Sequence, residues 1–321
     1  MIGFILSYSQ NVDNQRQTYD AQSGPKPAAL RLLLAALLIS GLLPGTSVLS
    51  KQRCQAADRP GKSSQALVKS SQVLVIAHRG NSSQAPENTL TAFRAAVDIG
   101  ANLVELDYYH CADGIPVVVH DRNLQRTTDA VRVLGIKAPL VDKQTLAQLG
   151  RLDAGSWFDK KFARERIPTL EQALRVIQRG STTLIERKGG DADTCIALLR
   201  RLNLLDQVVI QAFDWDYLTH CHRLAPQAVL GALGNKQLSK QRMRAIQSTG
   251  AQFIGWKHED LAKDDIARVH RVGLKVWVYT VNQPARAQQL IEWGVDGIIT
   301  DVPAVIQPLT KSKSPPAKKK R

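Results

Sequence analysis

Several short apolar runs in this chain end in side chains that could handle a phosphate. "VLVIAHRG" ends in His78 and Arg79. "VELD" carries Glu105 and Asp107 two residues apart, so on a strand both face the same side. "VVVHD" ends in His120 and Asp121, and "LIERK" repeats the two-residue spacing with Glu186 and Lys188. Neighbouring carboxylates in a low-dielectric space repel unless a cation joins them. Three oxygen donors, Glu105, Asp107 and Glu186, without clustered Cys or His, suit one hard divalent cation, Ca²⁺ or Mg²⁺, and suit Zn²⁺ poorly. Arg79 offers a planar fork and Lys188 a point charge, both matched to an anionic phosphate. His78 and His120 titrate near neutrality and can act as an acid–base pair. Together these groups make a set for phosphodiester cleavage. Trp277, near the end of a later run with Thr280 and Asn282, is expected at the rim as a substrate contact. Asp301 is expected to cap the last helix.

These residues converge only if strand ends gather at one place. Val- and Ile-rich runs occur at 73–77, 103–107, 183–186, 208–211, 228–232, 253–256, 275–279 and 297–300. Helical patterns separate most of them, at 88–99, 170–179, 192–203, 215–224, 240–249, 260–272 and 284–293. Asn88 and Asp214 stand at cap positions, and Gly100, Gly180, Gly250, Gly273 and Gly294 stand where a left-handed helix end favours glycine. This alternation predicts an α/β fold, a (β/α)8 TIM barrel, whose sites lie at the C-terminal ends of the strands. The run at 115–120 follows Asp107 too closely for a parallel crossover. It is expected to form a hairpin excursion after the second strand, turning at Ala112-Asp113-Gly114. Cys111 would then pair with Pro116, and Asp107 with His120.

Residues 1–70 read as a leader and linker, 71–309 as the barrel domain and 310–321 as a basic, disordered tail. The formal net charge of +15 is uneven. The tail "KSKSPPAKKKR" and residues 1–70 carry most of it, leaving the barrel mildly basic. That balance, with no aromatic stacking platform, argues against a nucleic-acid partner. Residues 32–50, "LLLAALLISGLLPGTSVLS", follow Arg31 and resemble an export signal or an uncleaved anchor. Their expected role is export to the periplasm or medium, or attachment to a membrane. Cys54, Cys111, Cys195 and Cys221 form no CxxC pair and are expected to be free thiols.

"AHRGNSSQAPENTLTAF", "VELDYYHCADGIPVVVHDRNLQRTT", "IPTLEQAL", "LIERK" and "VWVYTVN…GVDGIITDVP" together resemble the glycerophosphodiester phosphodiesterase family, from about Val73 to Pro303. The resemblance implies a TIM barrel that hydrolyses glycerophosphodiesters to glycerol 3-phosphate and an alcohol. It implies His78 as base and His120 as acid, a divalent cation on Glu105, Asp107 and Glu186, and Arg79 and Lys188 near the phosphate. Arg187 and the Gln211–Phe213 segment depart from the commoner family pattern. The nucleophile is water or the substrate's own neighbouring hydroxyl. The alternative activity is that of a lysophospholipase D-type enzyme working on lysophospholipids at a membrane. A catalytically dead scaffold would have lost some of these groups, and all are present.

Overall fold

A computed structural model describes residues 63–311 of the chain. The leader, its apolar segment at 32–50, Cys54 and residues 312–321 of the tail lie outside the described residues.

Eight parallel strands close into a barrel: β1 (Leu74–Ala77), β2 (Leu103–His110), β4 (Thr182–Arg187), β5 (Val208–Ala212), β6 (Val229–Gly234), β7 (Phe253–Lys257), β8 (Lys275–Tyr279) and β9 (Gly297–Thr300). β1 pairs with both β2 and β9, which closes the ring. β3 (Pro116–Val118) runs antiparallel to β2. The strands are buried on both faces, as a parallel sheet wrapped in helices requires. That wrapping consists of α2 (Leu90–Asp98), α5 (Leu170–Ile177), α6 (Ala192–Arg201), α7 (Trp215–Leu224), α8 (Lys240–Ser248), α9 (Lys263–Arg271), α10 (Pro284–Trp293) and α11 (Pro303–Lys311). Local chemistry starts many of them. Asp191, Asp214 and Ser239 accept from backbone N–H groups at their helix starts, and Thr169 forms a capping box with Gln172.

The barrel interior has an apolar floor. Leu74, Ile76, Leu103, Leu184, Val209, Val229, Phe253, Trp277 and Ile299 form one buried cluster. Phe253 and Trp277 stack at 3.8 Å. Room for them comes from glycine: a Cβ on Gly231 would lie 1.9 Å from the Phe253 ring. A short helix, α1 (Ser64–Val68), adds Leu67 and Val68 to this floor. It falls in the stretch that reads as linker, because five residues carry too little periodicity to announce a helix. At the other end, α11 reaches Lys311, past the start of the expected tail.

Three local expectations are corrected. The hairpin pairs His110 with Pro116 and Tyr108 with Val118, one residue from the expected register. Asp107 therefore faces Val119, whose N–H donates to the Asp107 carbonyl at 3.1 Å, and His120 lies one step beyond. The cap of α2 is Thr89, whose hydroxyl accepts from the Ala92 N–H; Asn88 stands outside the helix. Gly180 does not take the left-handed conformation that Gly100, Gly250, Gly273 and Gly294 adopt. A Cβ there would lie 2.9 Å from Val97 Cγ1, so a larger residue would have to displace that side chain.

Between β3 and α5 the chain makes a compact excursion larger than a hairpin. It holds α3 (Ala130–Leu134), α4 (Leu146–Leu149) and two 3₁₀ turns. Val119, Leu124, Val141, Leu149, Leu152 and Ile167 contribute to an apolar cluster of its own.

Candidate active site

A cleft of about 330 Å³ opens at the C-terminal ends of the strands. His78, Arg79, Glu105, His120, Glu186 and Lys188 line it, joined by Gln211, Phe213 and Tyr279. Asp107, two residues beyond Glu105 on β2, is only 1% exposed, covered by the lining residues Arg79 and Lys188. Trp277 is a correction: it is fully buried in the barrel floor. Both Trp277 and Tyr279 point inward from β8, but Tyr279, two residues further on, reaches the mouth. Side chains of one strand face occupy successive layers, so being near a strand end is not sufficient to reach the rim.

Glu105, Asp107 and Glu186 each bring an oxygen within 4.8 Å of the others. Asp107 is the best compensated. The Arg79 Nε lies 3.2 Å and the Lys188 Nζ 3.5 Å from its oxygens. Asn88 brackets it: Nδ2 donates to the carboxylate at 2.8 Å, and Oδ1 accepts from the Asp107 backbone N–H at 3.2 Å. This bracket uses Asn88 at φ +59°, a conformation asparagine tolerates. Sequence reasoning missed the role because asparagine is also a common cap. The following threonine was the available signal.

Charge in this cluster is unevenly supported. Burial first, then Asp107 and Glu186, push the Glu105 carboxyl well above its ordinary value. Burial also opposes ionisation of Asp107, but Arg79 and Lys188 hold it below the ordinary value. Burial and Asp107 raise Glu186 despite Lys188 Nζ at 2.6 Å. Glu105 Oε1 and Asp107 Oδ1 are buried with no hydrogen-bond partner. Hard, partly orphaned oxygens at this spacing fit a divalent cation.

Each histidine is held by an aspartate. His78 Nδ1 lies 2.6 Å from Asp301 Oδ1, and His120 Nδ1 lies 2.6 Å from Asp121 Oδ1. Asp301 thus serves His78 rather than capping a helix. It also accepts from Ser82 at 3.1 Å and Asn282 at 2.6 Å. Although burial works the other way, these contacts with His78, Asn282 and Ser82 bring the Asp301 pKa down to about 2. A depressed carboxyl pKa adds stability above the unfolded value near 4, and that stability is lost as pH falls from about 4 to about 2. Asp301→Asn should therefore narrow the gap to wild type as thermal melts move down through this window. A gap that stays constant from pH 6 to pH 2 would remove Asp301 from the acid response.

Arg79 takes φ +55° and is followed by Gly80 at φ +87°. A Cβ on Gly80 would lie 2.7 Å from the Ala92 carbonyl carbon, so the tight passage of the chain over α2 demands glycine. The Arg79 N–H donates to Glu105 Oε2 at 2.9 Å, tying this turn to the carboxylate cluster. The described cysteines, Cys111, Cys195 and Cys221, are buried free thiols. Among the described residues no helix is long and apolar enough to cross a membrane.

Comparison with known proteins agrees with this geometry. Residues 78–305 match the model of the glycerophosphoryl diester phosphodiesterase family. YhdW of Bacillus subtilis is 36% identical over 240 residues, covering 72% of this chain and 96% of that protein. A glycerophosphodiester phosphodiesterase of Caldanaerobacter subterraneus is 32% identical, with 73% and 96% covered. A solved phosphodiesterase from Oleispira antarctica, in complex with the product sn-glycerol-3-phosphate, superposes with a TM-score of 0.68 at 30% identity, covering 74% of this chain and 96% of that one. The family match spans every charged residue gathered at the mouth, from His78 to Asp301, inside a closed barrel. The chain accordingly belongs to the glycerophosphoryl diester phosphodiesterase family and is a phosphodiesterase that hydrolyses glycerophosphodiesters.

Proposed function

We propose that the enzyme releases sn-glycerol 3-phosphate and an alcohol, with His78 and His120 moving the protons. The observation that carries this reading is the pair of histidines lining one cleft, each engaged through Nδ1 by its own aspartate. An imidazole held this way keeps one orientation and leaves Nε2 to exchange a proton. His78, as base, takes the proton of the attacking hydroxyl, which belongs to water or to the substrate's neighbouring carbon. His120, as acid, protonates the leaving alkoxide. Burial foremost, aided by Arg79 and Lys188, keeps His120 below an ordinary imidazole value against Asp107 and Asp121. Arg79 and Lys188 offset charge that develops on the phosphoryl oxygens. A Ca²⁺ or Mg²⁺ held by Glu105, Asp107 and Glu186 would supply Lewis-acid polarisation of the phosphoryl group. The product complex of the Oleispira relative supports the glycerol 3-phosphate side of the reading.

A substrate panel tests it. Metal-depleted enzyme, with Ca²⁺ or Mg²⁺ added back, would be given glycerophosphocholine, glycerophosphoethanolamine, glycerophosphoinositol and lysophosphatidylcholine. Glycerol 3-phosphate should appear from the water-soluble diesters and only with a divalent cation. Turnover confined to lysophosphatidylcholine would move the enzyme to lysophospholipase D chemistry. Activity indifferent to chelation would remove the cation from the scheme.

A further inference from the structure

Two charged residues of the motif pattern have no part in the chemistry so far: Glu87 of "PEN" and Arg126 of "RTT". The fold brings them together. Arg126 Nη1 and Nη2 donate to the two oxygens of Glu87, each at 2.8 Å. Its remaining nitrogen, Nε, donates to Asp121 Oδ2 at 2.5 Å. Glu87 Oε1 also accepts from Arg79 Nη1 at 2.9 Å. The other oxygen of Asp121 holds His120. One guanidinium thus joins the carboxylate that orients His120 to the carboxylate that orients Arg79.

We propose that Arg126 is a positioning residue that locks His120 and Arg79 into one geometry around the phosphate. The inference rests on the roles proposed above for those two residues. Arginine suits this job because its rigid fork serves two carboxylates along different edges; lysine presents only a point charge. The arrangement is a poor stability device. The Arg126 side chain is 45% exposed, and ion pairs open to water contribute little. The excursion that carries it has its own apolar cluster to hold it in place. Its value lies in geometry. Without Arg126, Glu87 keeps only Arg79 as a guanidinium partner, and Asp121 keeps His120 but loses its own anchor. Both groups at the phosphate would then sample positions away from it, and small misplacements of reacting groups are costly in rate.

The test uses the full-length enzyme with saturating divalent cation and glycerophosphocholine. Arg126→Gln should lower kcat by about 10- to 100-fold with a smaller change in KM. Its thermal midpoint should stay near wild type. Arg126→Lys, which keeps charge but loses the fork, should recover only part of the loss. Glu87→Gln combined with Arg126→Gln should cost less than the product of the two single losses, because the pair acts in one unit while Glu87 keeps its own contact with Arg79. His120→Ala, measured beside them, separates the two levels of the argument. If His120→Ala is inactive while Arg126→Gln stays within about threefold of wild type, the positioning role is overturned and the histidine reading stands. If both remain active, both readings fail. Full recovery by Arg126→Lys, or a loss matched by a lowered thermal midpoint, would also overturn it.

Discussion

Replacing His78 or His120 by alanine is expected to lower kcat by about two to four decades while the enzyme stays folded. Both side chains are partly open to the cleft, 17% and 28% exposed, and their aspartate partners remain solvated after truncation. The loss should fall on kcat and kcat/KM alike, because proton transfer is an interaction of the transition state rather than of the bound ground state. The two variants should differ with the leaving group. A nitrophenyl leaving group needs no protonation, so His120→Ala should recover most of its rate on such a diester. His78→Ala should stay slow on the same substrate, since its defect lies in activating the nucleophile. Steady-state kinetics on a natural and a nitrophenyl diester check both points. Near-wild-type turnover in both variants would end the two-histidine scheme, and the opposite leaving-group pattern would exchange the roles.

Glu105→Gln should have effects of opposite sign on activity and stability. Three buried carboxylates within 4.8 Å of one another repel in the metal-depleted enzyme, and Glu105 is the one whose ionisation burial and its neighbours oppose most. A neutral isostere removes part of that repulsion. Its oxygen can still accept the Arg79 N–H that Glu105 Oε2 now accepts at 2.9 Å. The metal-depleted variant should therefore melt a few degrees higher than metal-depleted wild type. Added Ca²⁺ or Mg²⁺ should raise the wild-type midpoint through binding and leave the variant nearly unmoved. Lewis-acid assistance contributes several kcal/mol, so the rate should fall on the order of a thousandfold. Calorimetry and melting curves with and without each cation provide the readout. A variant that melts lower without metal, or that is still activated by it, would contradict the cation assignment.

Much of the site was legible because chemistry-bearing residues terminate apolar runs. Glu105 with Asp107, and Glu186 with Lys188, keep the two-residue spacing that places both on one strand face. The barrel frame was legible for a related reason. Val- and Ile-rich runs such as Lys275–Tyr279 and Gly297–Thr300 are short, apolar and flanked by helical periods and glycines. These are local properties, and local sequence carries them.

Depth and partnership were not legible. Trp277 and Tyr279 share one face of β8, yet one lies in the floor and the other in the mouth. Only the stagger of neighbouring strands assigns each to its layer. The hairpin shifted by one residue because register depends on cross-strand hydrogen bonds that the turn residues alone do not define. Asp301 looked like a cap until barrel closure placed β9 beside β1 and brought it to His78. The excursion after β3 carries helices too short for a periodic signal, and it delivers Arg126 to Glu87, 39 residues earlier in the chain. By itself the sequence determined which groups are present and which strand ends offer them, because those follow from residue type and spacing over a few positions. Tertiary structure decided that Asp301 serves His78 and which aromatic is buried, because those contacts join residues far apart in the chain.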